Sequence, residues 1–164
     1  MSSFDISLVR VDNRLVHGQI LEAWIPFIKA SCVVVADDDV AGDFFQESAV
    51  KMAVPSEIEV VVNSVEEFSE NYSYCEKGGG KTIVLFCNVC DALKAYRSGF
   101  RFRKLNVGNV HSKAGAKQFI PSVYLSEKEV KDLRFLVDSG VNIKLMSLPT
   151  DMPVDFRDVV KKMS

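Results

Sequence analysis

Histidine is scarce in this chain, two among 164 residues, and tryptophan occurs once. Cysteine is also sparse: Cys32, Cys75, Cys87 and Cys90 have no extracellular context and are expected as reduced thiols rather than a disulfide framework. Neither sign of charge dominates. Twenty basic residues face 22 acidic ones, a net charge of −2. The basic footprint of a nucleic-acid binder is missing. No apolar run approaches the roughly 20 residues that span a bilayer. The start, Met-Ser-Ser-Phe-Asp, has neither the basic opening nor the apolar core of a secretion signal. Repeats, low-complexity tracts and Pro/Gly/Ser linkers are absent. What remains is 48% apolar and 26% charged, an ordinary globular composition. The chain is expected to form one cytoplasmic domain over residues 1–164, long enough to bury a core without staples.

Short apolar runs alternate with helical patterns. Strands are predicted at 6–11, 32–36, 58–62, 82–87, 105–107, 119–125 and 141–148, the sixth interrupted by Pro121 and so placed near an edge. Helices are predicted at 18–29, with Pro26 weakening its second half, at 40–54, from Ser64 toward Tyr72, from Asn88 to Gly99, from Ser126 to Gly140, and at 154–163. Ser64-Val65-Glu66-Glu67 and Ser126-Glu127-Lys128-Glu129 have the form of capping boxes. This alternation predicts an α/β fold with an open, mostly parallel sheet and helices on both faces. Ligands in such sheets bind beyond the carboxyl ends of the strands. That edge carries the loop from Asp12 to Gly18, the aspartates after the second strand, Asn88, and the segment from Gly108.

The loop holds the chemistry. His17 stands beside Gly18 where a helix begins, offering free amides and a positive dipole end to an anion. Gly18 permits close backbone approach. Arg14, three residues earlier, can fork onto phosphate oxygens. Arg10 is a second, weaker candidate, and Asp12 a candidate to orient the arginine or the imidazole. A neutral imidazole is a competent nucleophile near physiological pH. Loop chemistry alone leaves a second reading open, a histidine satisfied at a helix start between arginines on a solvated rim.

Residues 9–19 resemble the active-site segment of the IIB subunits of the mannose/sorbose family of the bacterial phosphoenolpyruvate-dependent sugar phosphotransferase system. The family pattern Arg-(Ile/Val)-Asp-(Asp/Asn)-Arg-Leu-(Ile/Val)-His-Gly-Gln is matched throughout by Arg10 to Gln19. Later landmarks follow in order: VVVADDDVAGD from Val33, Lys51-Met52-Ala53 with Pro55, Leu105-Asn106-Val107-Gly108, and Leu148-Pro149-Thr150-Asp151. The resemblance implies a protein-N(pi)-phosphohistidine–sugar phosphotransferase. His17 would accept a phosphoryl group from a phosphorylated IIA protein or domain and pass it to the sugar imported through membrane IIC and IID subunits. Arg14 would be the arginine beside it, with Arg10, Asp12 and Gly18 as phosphate-binding or supporting residues. The chain would sit in the cytoplasm, held at the inner face of the membrane by IIC and IID. No metal or organic cofactor is implied. The same loop would also serve a regulatory phospho-relay module without sugar transfer. Pairing with a second copy is left open, since no self-complementary apolar stripe is evident.

Three other features compete for attention. Gly78-Gly79-Gly80-Lys81-Thr82 lacks the earlier glycine of a P-loop, that position being Cys75, and its strand follows instead of preceding. A flexible connector is expected there. Cys87-Asn88-Val89-Cys90 has the spacing of a redox pair but lacks the surroundings of one, and no second such pair supports zinc. His111, in a loop that opens Gly108-Asn109-Val110, is read either as a supporting contact to the site together with Asn109 or as a solvated loop residue.

Overall fold

The structure is a computed structural model that describes residues 5–71 and 80–162. Tyr72, Cys75, Gly78, Gly79 and Met163, which enter the expectations above, lie outside the described residues. β1 (Asp5–Asp12) leads to a first helix, and β2 (Ala30–Ala36) follows it. β3 (Glu59–Asn63), β4 (Lys81–Phe86) and β5 (Lys104–Asn109) come next. β6 (Lys117–Ile120) and β7 (Val123–Leu125) precede β8 (Asn142–Leu145) and β9 (Val154–Asp155). Seven strands form one sheet in the order β3-β2-β4-β1-β5-β8-β9. All its pairings are parallel except that of β8 with the short edge strand β9.

From β1 the chain first builds one side of the sheet, then crosses to the other. The carboxyl end of β1 therefore lies where the order reverses, between β4 and β5, the place such sheets reserve for ligands. Burial on both faces explains the apolar runs. Val33, Val35, Ile83 and Leu85 enter one core, while Val34, Ala36, Val84 and Phe86 enter the other. β1 alternates likewise, with Val9 and Val11 in the second core. The intervening Arg10 and Asp12 point to the opposite face and are fully buried.

The first helix runs over residues 18–28 as a π-helical turn (Ile20–Trp24) and α1 (Ile25–Ile28). It survives Pro26 because the wider turn, closed by Ile25 N–H onto the Ile20 carbonyl, places the proline where its missing donor is not needed. Ile20, Trp24, Ile25 and Ile28 are buried, and Lys29 ends the helix in the left-handed region.

The helix expected at 40–54 is two. α2 (Asp38–Ala41) is capped by Asp37, and α3 (Phe44–Ala53) by Asp43, whose carboxylate accepts from the Phe45 and Gln46 amides. α4 (Val65–Glu70) and α5 (Val89–Arg97) start at Ser64 and Asn88, as predicted. α6 (Glu127–Asp138) carries a complete capping box at Ser126. The strand expected at 119–125 is a hairpin, β6 and β7, because Pro121 and Ser122 form its turn. The last strand stops at Leu145, and the expected final helix begins later, as α7 (Phe156–Lys161), because Val154 and Asp155 pair with β8 first. Cys87 and Cys90 are free.

Candidate functional site at the end of the first strand

Asp12 is the last residue of β1 and is wholly buried. The chain turns there: Leu15 N–H donates to the Asp12 carbonyl at 3.0 Å, and Leu15 adopts a left-handed φ of 55°. That conformation costs a non-glycine residue roughly 1–2 kcal/mol. Burial of the Leu15 side chain in the core beside the first helix offsets it. Arg14, just before, is thereby left exposed, and its amide donates to Asp12 Oδ1 at 2.9 Å.

His17 returns to the carboxylate. Its Nε2 lies 2.7 Å from Asp12 Oδ2, and its side chain is only 12% exposed. A carboxylate can only accept, so Nε2 carries the proton and Nδ1 holds the lone pair. The assignment is self-consistent, because Gln19 N–H donates to Nδ1 at 3.3 Å. Nδ1 thus faces the opening turn of the first helix. A Cβ placed on Gly18 would meet nothing within 4 Å, so there is open space beside it.

Asp12 is itself gripped by Arg10. Arg10 Nε and Nη2 both donate to Asp12 Oδ2, at 3.2 and 3.0 Å, with both side chains at 0% exposure. Nη1 donates to Asn106 Oδ1 at 2.6 Å and to the Met146 carbonyl at 3.2 Å, and Nη2 to Gln19 Oε1 at 3.3 Å. The guanidinium also lies 5.2 Å from the Trp24 ring centroid. Burial pushes the Arg10 pKa down while the Asp12 carboxylate opposes it, and a guanidinium so paired stays charged. Such a pair contributes geometry more than stability. Arg10 is therefore a support for Asp12, sealed away from any ligand at the loop.

A second network ties the loop to its neighbours. Asn13 Nδ2 donates to the Cys87 carbonyl at 2.7 Å, its Oδ1 accepts from His111 N–H at 2.6 Å, and its own amide donates to the Asn109 carbonyl at 2.9 Å. With its amide oxygen turned toward Arg14, buried Asn109 accepts from Nε at 2.8 Å and Nη2 at 3.2 Å. Asn109 thus fixes the exposed guanidinium of Arg14. His111 joins the network only through its backbone, and it is exposed. Gln19 Nε2 donates to Ser147 Oγ at 2.9 Å, and Trp24 Nε1 to the Ser147 carbonyl at 2.9 Å.

The structure therefore brings together Arg10, Asp12, Arg14, His17, Gly18 and Asn109 and leaves the His111 side chain apart. Asn13, Gln19, Asn106, Gly108 and Ser147 were not singled out from sequence. Asn106 had a signal, a lone amide in an apolar strand that pairs with Arg10 across the sheet. Gly108 had none. Burial raises the Cys87 thiol to about 11, reinforced by Asp37, Asp91, Asp39 and Asp12, and the thiol points at the Asn13 carbonyl. A thiol so placed is a poor nucleophile at neutral pH.

A buried carboxylate that sets one tautomer, an imidazole nitrogen facing a helix start, and an anchored arginine at the rim suit transfer of a phosphoryl group. Comparisons with known proteins agree. Residues 6–164 match the family model described as "PTS system sorbose subfamily IIB component". An N-acetylgalactosamine-specific phosphotransferase enzyme IIB component 1 of Escherichia coli K12 is 32% identical over 96% of this chain and all of its own length. A mannose-specific EIIAB component of the same strain is 26% identical over 96% of this chain, which spans 49% of it. The crystal structure of the IIBSor domain of the sorbose permease from Klebsiella pneumoniae superposes with a TM-score of 0.88 at 28% identity, covering 98% of this chain and 99% of that one. Among the described residues, no helix is long and apolar enough to cross a membrane.

Proposed function

Because the chain belongs to the sorbose-subfamily IIB components of the sugar phosphotransferase system, we propose that His17 is its phosphocarrier and that Nδ1 is the atom phosphorylated. The observation that carries this reading is the 2.7 Å contact of Nε2 with Asp12, which leaves Nδ1 as the nucleophile. In the first step Nδ1 attacks the phosphorus of a IIA phosphohistidine, and the donor's N–P bond breaks as the new one forms. In the second, a sugar hydroxyl oxygen attacks that phosphorus, its proton passes to solvent, and the Nδ1–P bond breaks so that Nδ1 regains its lone pair. Asp12 holds the Nε2 proton throughout and stabilises the imidazole as charge develops on it. Gly18 and Gln19 amides and the exposed Arg14 guanidinium receive the equatorial oxygens. The coupling of IIA and IIB in one mannose-specific relative supports a IIA donor. The acceptor is the sugar carried by IIC and IID subunits, which places the chain at the inner membrane face.

The test is peptide mass spectrometry, handled without acid, after incubation with phosphoenolpyruvate, enzyme I, HPr and a matching phosphorylated IIA. One phosphate on the His17 peptide, lost in His17→Ala with the fold intact, is expected. Labelling elsewhere, or none with a competent IIA, overturns the reading.

A further inference from the structure

One half of the sheet is open on one face. Leu105 and Val107 of β5 and Ile143 and Leu145 of β8 point into the core that α4, α5, α6 and α7 close with Phe68, Leu93, Leu133 and Phe156. The alternate residues Lys104, Asn106, Asn142 and Lys144 therefore point to the opposite face, Lys104 level with Asn142 and Asn106 with Lys144. There the first helix packs Ile20, Trp24, Ile25 and Ile28 over β2 and β4, and no residue of β5 or β8 belongs to that core. Parallel sheets are ordinarily covered on both faces, so an open, polar half is a departure.

A recess of about 670 Å³ occupies this half, within the size range of small-molecule sites. Leu8, Trp24 and Met146 belong to its apolar wall. Trp24 and Met146 stand at the end nearest Arg10, whose guanidinium lies 5.2 Å from the Trp24 ring and donates to the Met146 carbonyl. Arg101, Arg103 and Lys104 line the other end, where β5 begins. Arg101 lies over the Tyr96 ring at 4.6 Å. Among the described residues Arg103 and Lys104 have no carboxylate partner. Lys144 does, in Asp155 at 3.0 Å, and that carboxylate is shared with Arg157. The recess is thus apolar at one end and carries uncompensated positive charge at the other. Asp12, Arg14 and His17 do not line it. The wholly buried Arg10 stands between, bonded to Asp12 on one side and to Asn106 of the recess on the other.

We infer that this recess is a second binding site, which takes an amphipathic organic anion. Its apolar body lies against Leu8, Trp24 and Met146, and its phosphate or carboxylate head meets Arg103 and Lys104. The wall contributes about 25 cal/mol for each Å² of apolar surface that it removes from water. The Arg103 guanidinium can fork onto two oxygens of the head, and Lys104 adds a point charge. A bare inorganic anion leaves the wall unused, and an uncharged apolar molecule leaves the cations unused. The site is separate from the His17 opening, so its ligand does not compete with phosphoryl transfer.

The test titrates the full chain with anilinonaphthalene sulfonate, an amphipathic anion whose fluorescence rises on burial. One site per chain is expected. Arg103→Glu/Lys104→Glu changes two exposed side chains, so unfolding temperature stays within a few degrees of the parent. Its dissociation constant for the probe is expected to rise at least about tenfold, and parent binding to weaken with salt. Uncharged phenylnaphthylamine should bind the parent at least about tenfold more weakly than the sulfonate, and inorganic phosphate should not displace the probe at equal concentration. Displacement by ADP assigns a phosphate head and displacement by decanoate a carboxylate head; displacement by neither overturns the inference. Phosphorylation of His17 by phosphorylated IIA should stay within about twofold in the charge variant and under saturating probe. A probe that blocks it lies at the His17 loop instead, which overturns the inference. Binding that survives charge reversal overturns it too, as does binding lost in Phe45→Ser/Met52→Ser, two residues of α3 that are 83% and 85% exposed, or a parent dimer that the charge variant dissolves. The titration needs no phosphodonor, so its failure and a failure of the IIB reading are told apart.

Discussion

Gly108→Ala exchanges one hydrogen for a methyl group, three residues before His111, yet its expected effect is large. The new carbon would sit 2.0 Å from Arg10 Cζ, 2.1 Å from Nη1 and 2.2 Å from Nη2. A long side chain ordinarily swings aside from such a clash. Arg10 cannot do so cheaply, because its guanidinium is wholly buried and makes five hydrogen bonds. Displacing it leaves the buried Asp12 carboxylate without its cation, a loss of about 3–5 kcal/mol. Counting only the two bonds to the Asp12 carboxylate gives the same scale, since each hydrogen bond to a charged group contributes about 1.5–3 kcal/mol. With urea m-values of about 1–3 kcal/mol/M for small proteins, the unfolding midpoint should fall by roughly 2 M. Phosphorylation of His17 should slow as well, because Asp12 no longer holds one tautomer. The comparison with Arg10→Met isolates the cause. Removing the guanidinium vacates the space the methyl needs, so Arg10→Met/Gly108→Ala should match Arg10→Met within about 0.5 kcal/mol. A Gly108→Ala midpoint equal to the parent's, or additive losses in the double variant, would refute the reasoning.

Other outcomes follow from the same geometry. Asp12→Asn should slow His17 phosphorylation by about a hundredfold or more, with nitrogen NMR showing a mixture of tautomers; a ring still protonated only at Nε2 counts against the mechanism. The Cys87 thiol titrates near 11 when folded against an ordinary 9.0, so the unfolded chain releases that proton first. Stability should then fall as pH rises from 9 toward 11, less steeply in Cys87→Ser; superimposable profiles for the two would contradict the burial argument. Asp155→Ala removes the cap of α7 and the carboxylate that accepts from Lys144 Nζ at 3.0 Å. It should cost about 1–2 kcal/mol by thermal unfolding at pH 7. Arg157 and then Lys144 hold the Asp155 carboxyl below its ordinary range, so this stability is present above pH 4 and lost as pH falls. The gap between parent and variant should therefore narrow in acid; a gap that widens would show another cause.

Much of the architecture was legible because period and capping carry local information. Ser64, Asn88 and Ser126 start helices where their side chains accept from the third following amide. The β-branched run at 33–35 is the buried strand it resembles. His17, Arg14 and Asp12 stood out because the resemblance is concentrated in one contiguous segment. Illegible were features made by distant residues. Gly108 reads as a loop glycine until Arg10 is seen against it, and Ser147 reads as nothing until Gln19 and Trp24 converge on it. The exposure of Phe44, Phe45 and Met52 on α3 is likewise visible only in the fold. The break before it was equally hidden, because Asp43 caps a new helix inside what reads as one amphipathic stretch.

Asn13 has a consequence for how fast partners can exchange. One side chain ties the His17 loop to the ends of both neighbouring strands, through the Cys87 carbonyl and the His111 amide. The loop is thus ordered before any visitor arrives, and its conformational entropy is surrendered once, during folding. A carrier that meets a donor and then an acceptor does not have to freeze and release its loop at each visit. Its turnover is then governed by collision and departure of partners, and their short residence becomes an advantage.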